Sequence, residues 1–112
     1  MPDDSSDLPW YSVRCVFQTR SGDGFSYEER VTLWQSDGID EAIAMAEIEA
    51  GGHAEATRAE YTGMAQAYWL PAPPSTGTQV FSLVRESELE SDDYLDQFFD
   101  TGREAQGRWT EG

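Results

Sequence analysis

Two alternating runs on either side of a glycine-rich turn constrain the fold of this chain more than any other feature. From Trp10 to Thr19, Tyr11, Val13, Cys15 and Phe17 fall on one side; Ser12, Arg14 and Gln18 fall on the other, with Val16 the exception. From Phe25 to Gln35, Phe25, Tyr27, Val31 and Leu33 face one way, while Ser26, Glu28, Arg30, Thr32 and Trp34 face the other. A period of two is the mark of a half-buried strand. The intervening Ser21-Gly22-Asp23-Gly24 is hairpin-turn chemistry, with glycines free to take positive φ. The two runs and the turn specify an antiparallel hairpin.

The next segment changes period. Ile39, Ala42, Ile43, Ala46 and Ala50 lie on one face at helical spacing, with Asp37 placed to cap and Asp40 and Glu41 in the first turn. Gly51-Gly52 is expected to end that helix. Thr57 to Leu70, rich in Tyr, Thr and Trp, reads as a third strand. Pro71-Ala72-Pro73-Pro74-Ser75-Thr76-Gly77 is a stiff connection, and Thr78 to Arg85 reads as a fourth strand closing a second hairpin. Ser87 to Asp100 reads as a second helix, with Ser91 a cap near its start. The expected fold is a single α+β domain over 10–102: a four-stranded antiparallel sheet in ββαββα order with its helices packed on it. An acidic lead, 1–9, precedes it and a frayed tail, 103–112, follows.

Charge decides which functions fit. The net charge is −15 over 112 residues, from 22 acids against seven Arg and no Lys. Nucleic-acid backbones and anionic membranes repel such a chain. The acids avoid 61–84, a run of 24 residues without charge, and seven of them crowd 86–100 without a base. A GC-rich genome, a salty cytoplasm or chance in a short chain each produces the same acidity. One Cys excludes an internal disulfide, and the setting it implies is reduced and cytoplasmic. The N-terminus lacks the basic start and apolar centre of a signal peptide.

Trp10-Tyr11-Ser12, Tyr27-Glu28-Glu29-Arg30, Glu41-Ala42-Ile43 with Ala46-Glu47, and Val80-Phe81-Ser82 resemble the small bacterial family called domain of unknown function 4288. The resemblance covers roughly residues 10–86. It implies a compact bacterial α+β module and brings no activity, cofactor or site residues with it.

The chemistry-bearing residues are sparse. His53 follows Gly51-Gly52 near Glu55 and Glu60, and reads as a loop residue, because no second His stands at ligand spacing. Cys15 reads as a buried core thiol. Asp92, Asp93, Asp96 and Asp100 follow a helical spacing rather than that of a calcium loop, so neither a metal nor another cofactor is expected. These four acids are the candidate surface for a basic protein partner, with Trp34, Tyr68 and Trp69 as aromatic anchors. Tyr27 and Glu29 share a strand face and form a candidate ligand site. The expected function is a non-catalytic protein-binding module, an immunity or antitoxin-like inhibitor of a basic partner. A carboxylate enzyme or small-ligand domain is the first alternative. A homo-oligomer assembled through the charge-free 61–84 is the second.

Overall fold

The computed structural model describes residues 7–98. Its elements are β1 (Trp10–Ser21), β2 (Gly24–Gln35), α1 (Ile39–Thr57), β3 (Glu60–Leu70) and α2 (Ser91–Phe98). The fold is α+β, with one antiparallel sheet of three strands in the order β2-β1-β3. The chain divides into two compact units, Met1–Ser82 and Leu83–Gly112. No helix of the described residues is long and apolar enough to cross a membrane.

The hairpin forms as its alternation predicts. Gly22 and Asp23 make the turn, Ser21 faces Gly24, and the ladder runs unbroken to Trp10 opposite Gln35. Gly22 takes φ +60°, a conformation that a residue with a Cβ rarely adopts. On its other side β1 pairs with β3 from Trp10–Leu70 to Gln18–Glu60, interrupted by a bulge near Val16. Gly63, at φ +89°, sits in that bulge, and the Thr62 hydroxyl donates to the Val16 carbonyl at 2.9 Å. The extra residues bend β3 and are stapled back to β1 by this bond.

Helix α1 covers one face of the sheet. Its buried residues are Ala42, Ala46, Ala50 and Ala54, one every four positions, and they pack on Tyr11, Val13, Cys15 and Phe17. A row of alanines has no side-chain bulk to hold the helix off, so helix and sheet approach closely. The helix does not stop at Gly51-Gly52. It runs on to Thr57, where Arg58 takes the left-handed φ of 59° and its N–H closes on the Ala54 and Glu55 carbonyls. Two interior glycines cost roughly 1 kcal/mol each; beyond them the buried Ala54, the His53 contacts with Phe17 and Glu28, and the Arg58 cap together hold the helix. His53 is therefore a helix residue and not a loop residue. At the other end Gly38 is the N-cap and Asp37 gives no side-chain cap; Glu41 accepts from the Asp37 N–H at 2.9 Å instead.

The expected fourth strand does not form. Residues 78–87 join no ladder, so the order is ββαβα. Three prolines in 71–74 fix φ and stiffen the exit from β3, against a tight return into the ladder. The chain passes instead over the sheet face opposite α1: the Ser12 hydroxyl donates to the Val80 carbonyl, and the Phe81 ring lies 6.1 Å from that of Tyr68.

In the second unit, α2 carries Asp92 and Asp93 in its first turn, where the helix dipole favours anions. The Tyr94 N–H donates to the Glu90 carbonyl at 2.9 Å.

Candidate functional site

The two-residue turn sets which faces meet. With Ser21 opposite Gly24, each odd residue of β1 lies opposite an even residue of β2: Cys15 opposite Arg30, Val13 opposite Thr32, Tyr11 opposite Trp34. Opposed residues point to the same side of a sheet. The apolar run of β1 therefore shares the α1 side with the polar run of β2. The apolar run of β2 (Phe25, Tyr27, Val31 and Leu33) emerges on the other side, with Ser12, Arg14 and Gln18. The hairpin thus has two apolar faces, and α1 covers one of them.

On the α1 side, the polar groups of β2 are met by the helix. Arg30 makes a forked pair with Glu49 at 2.5 and 2.9 Å. This holds the Glu49 carboxyl below its usual pKa and raises that of Arg30. His53 Nε2 stands 2.8 Å from Glu28 Oε1, and its ring meets the Phe17 ring edge-on at 4.8 Å. The Tyr61 hydroxyl donates to Glu47 at 2.6 Å; burial first, then that bond, push its pKa far up. Cys15 is buried, and burial raises its thiol pKa as well.

The opposite face is organised around Arg14. Its Nη1 donates to Glu29 at 3.0 Å, its Nε donates to Gln66 at 3.1 Å, and its guanidinium sits 4.9 Å from the Phe81 ring centre. Residues 79–81 cover the β1 and β3 part of this face, with Gln79 donating to the Tyr68 hydroxyl at 2.8 Å. The β2 part is bare. Phe25 is 51% exposed, Tyr27 60%, Val31 40% and Leu33 40%. Gln18 donates to the Tyr27 hydroxyl at 2.7 Å, and the Arg20 guanidinium lies 5.4 Å from the Phe25 ring centre. At the turn end of the stripe, Gln18, Thr19, Arg20, Phe25, Arg58 and Glu60 line a cleft of about 410 Å³.

The expected site residues distribute unevenly. Tyr27 and Glu29 do share the open face. The three aromatic anchors do not form one surface. Trp34 and Trp69 flank Tyr11 on the α1 side, and Trp34 packs against the core. Tyr68, one residue from Trp69, points to the open face, because alternation sends neighbours to opposite sides. Asp92, Asp93 and Asp96 are exposed on α2; Asp100 lies outside the described residues. Among the described residues no group of three or more His, Cys, Asp or Glu is placed to hold a metal ion. Phe25, Val31, Leu33 and Arg14 complete the surface and were not expected there. Their signal was the length of the turn.

No family model matches the chain, and neither a curated protein nor a solved structure similar to it was found.

Proposed function

We propose that this chain is a protein-binding module that docks a partner on the sheet face opposite α1. The observation that carries the reading is the bare stripe of Phe25, Tyr27, Val31 and Leu33, four apolar side chains 40–60% exposed on one face of an edge strand. Side chains of this size add up to a patch of roughly 400 Å², the size of the largest apolar patch on a typical monomer, which is often functional. Aromatic residues next to an arginine are also the composition of energetic interface centres.

Charge selects among partners. The open face carries Arg14, Arg20 and Glu29, whereas Glu41, Glu47, Glu49 and Glu55 of α1 lie on the other side of the sheet. The net charge of −15 steers a basic partner toward the chain at long range, while the face itself, with Arg14 paired to Glu29 and Arg20 beside Phe25, takes an apolar centre. The specific form of the reading is an inhibitor of a basic protein, of the immunity or antitoxin type, acting in a bacterial cytoplasm. Resemblance to domain of unknown function 4288 adds no chemistry to it. Tyr27 and Glu29 serve here as docking residues, with Glu29 fixed by Arg14, rather than as catalytic groups.

The test is affinity capture on the wild-type chain, followed by calorimetry with the purified captured protein. Tyr27→Lys with Leu33→Lys is expected to weaken binding at least tenfold, on the scale of about 1.4 kcal/mol per decade. Binding unchanged by that pair but lost in Asp92→Asn with Asp96→Asn moves the site to α2 and refutes the sheet face.

A further inference from the structure

The free edge of β2 goes beyond docking on the face. We infer that β2 pairs antiparallel with β2 of a second copy, about a two-fold axis at Glu29, and joins two sheets of three strands into one of six. Ladder geometry fixes which groups are free. Ser21 and Gly24 close a two-residue turn, and such a closing pair exchanges both ladder bonds. Even-numbered residues of β2 therefore bond to β1, and the N–H and C=O groups of Tyr27, Glu29, Val31 and Leu33 point outward. Among the described residues no strand pairs with that edge. Long unpaired edges are templates for a further strand.

The sequence of β2 is complementary to itself when reversed about Glu29. Phe25 then lies opposite Leu33 of the second copy, Tyr27 opposite Val31, Ser26 opposite Thr32, and Glu28 opposite Arg30. Each match occurs twice. They are aromatic–aliphatic and opposite-charge pairs, the kinds that favour strand pairing. The Glu28–Arg30 matches fall at non-hydrogen-bonded positions, where side chains come closest. Only Glu29 meets its own copy, and each Glu29 is held by its own Arg14 at 3.0 Å. A slip of two residues one way sets Arg30 against Arg30 and Glu29 against Val31; a slip the other way sets Glu28 against Glu28. The charges in mid-strand, which would guard an edge against most strands, select one register for this one. The two-fold places both α1 helices on one side and unites the two apolar stripes on the other, leaving that doubled face open to a partner.

At −15 per copy the association is opposed by net repulsion, so it is weak and strengthens with salt. Capture of a basic partner has the opposite salt dependence. Sedimentation equilibrium of the full chain is expected to show dimers with half-association in the range of roughly 10–100 µM, the weak class of interface, tightening severalfold as sodium chloride rises from about 20 to 300 mM. Val31→Pro removes an outward N–H that the monomer does not use and is tolerated on an edge. It is expected to stay monomeric at about 1 mM, a loss of tenfold or more. Should Val31→Pro not fold, Tyr27→Lys puts a cation opposite Val31 from an exposed position and is expected to do the same. Glu29→Gln removes the like-charge pair and is expected to tighten the dimer severalfold. A wild-type monomer at about 1 mM in high salt, or a dimer indifferent to these substitutions, overturns the inference. A wild-type chain that binds its partner but forms no dimer overturns this inference alone and leaves the docking face standing.

Discussion

Phe17 and Tyr27 are both aromatic, both sit mid-strand in the same hairpin, and the register sends them to opposite faces. Phe17 is 1% exposed. Its ring lies under α1, 4.8 Å from the His53 ring and 5.6 Å from that of Tyr61. Phe17→Ala forfeits about 2 kcal/mol of transfer free energy. It also leaves space on the order of 100 Å³, which adds roughly another 2 kcal/mol if the alanine row of α1 does not collapse into it. The expected loss is therefore about 4 kcal/mol, from a unit whose whole stability is on the order of 4–12 kcal/mol. Tyr27→Ala removes a ring already 60% exposed and one bond from Gln18, and is expected to cost below about 1 kcal/mol. Urea unfolding followed by tryptophan fluorescence measures both, in dilute protein so that association does not contribute. At a slope of about 1–1.5 kcal/mol/M, Phe17→Ala lowers the midpoint by roughly 3 M or leaves the chain unfolded. Equal losses at the two positions, or a greater loss at Tyr27, mean that the turn does not set the register described above, and the docking face falls with it.

Two further outcomes test the supports of this sheet. Gly63→Ala meets no atom within 4 Å, so its cost is the backbone at φ +89° alone; about 1–2 kcal/mol is expected, read by the same urea titration, and a neutral result refutes the bulge as drawn. Glu49 has its pKa depressed in the folded state by the forked bond from Arg30. A group that binds its proton less tightly when folded contributes stability at neutral pH and loses it as pH falls below the usual carboxylate value near 4.5. Arg30→Ala is therefore expected to cost up to about 1 kcal/mol at pH 7, because the pair is partly exposed, and that cost is expected to shrink as pH falls below the usual carboxylate value and through the depressed one. A cost independent of pH refutes the pairing.

Most of the fold was legible because it rests on local rules. Alternation marked Trp10–Thr19 and Phe25–Gln35 within two residues of the strands that form, and the spacing of Ala42, Ala46 and Ala50 marked the buried row of α1. Where reading failed, a distant contact outweighed a local preference. Gly51-Gly52 is a sound stop signal for an isolated helix, yet Ala54 and His53 beyond it gain enough together from the sheet to carry the helix another turn. Val80-Phe81-Ser82 has strand composition, yet Ser12 and Arg14 bind it through side chains across a sheet face, an arrangement that periodicity does not encode. The misplaced anchors Trp34, Tyr68 and Trp69 fail for the simplest reason: adjacent strand residues point apart, so Tyr68 and Trp69 never share a surface.

The exposed stripe of β2 is different in kind, because everything that places it stands in the sequence. Alternation marks each apolar set by itself, and the turn length decides how the two sets combine. A turn of two residues makes the paired positions differ in parity, so two odd-numbered apolar runs cannot share a face. A hairpin meant only to cover one core would place the second run on even positions, where Ser26, Glu28, Arg30 and Thr32 stand instead. α1 answers that polar run with Glu49 for Arg30 and His53 for Glu28, so the helix is built to fit the register and not to resist it. The exposed stripe is therefore no accident of packing at one residue: shifting β2 by one position would bury it, and would break the Arg30–Glu49 ion pair and the His53–Glu28 hydrogen bond with α1 in the same step. One register therefore fixes both the polar partners on the α1 side of β2 and the exposure of Phe25, Tyr27, Val31 and Leu33 on the other, and the proposed docking face and the proposed pairing of β2 both stand or fall with it.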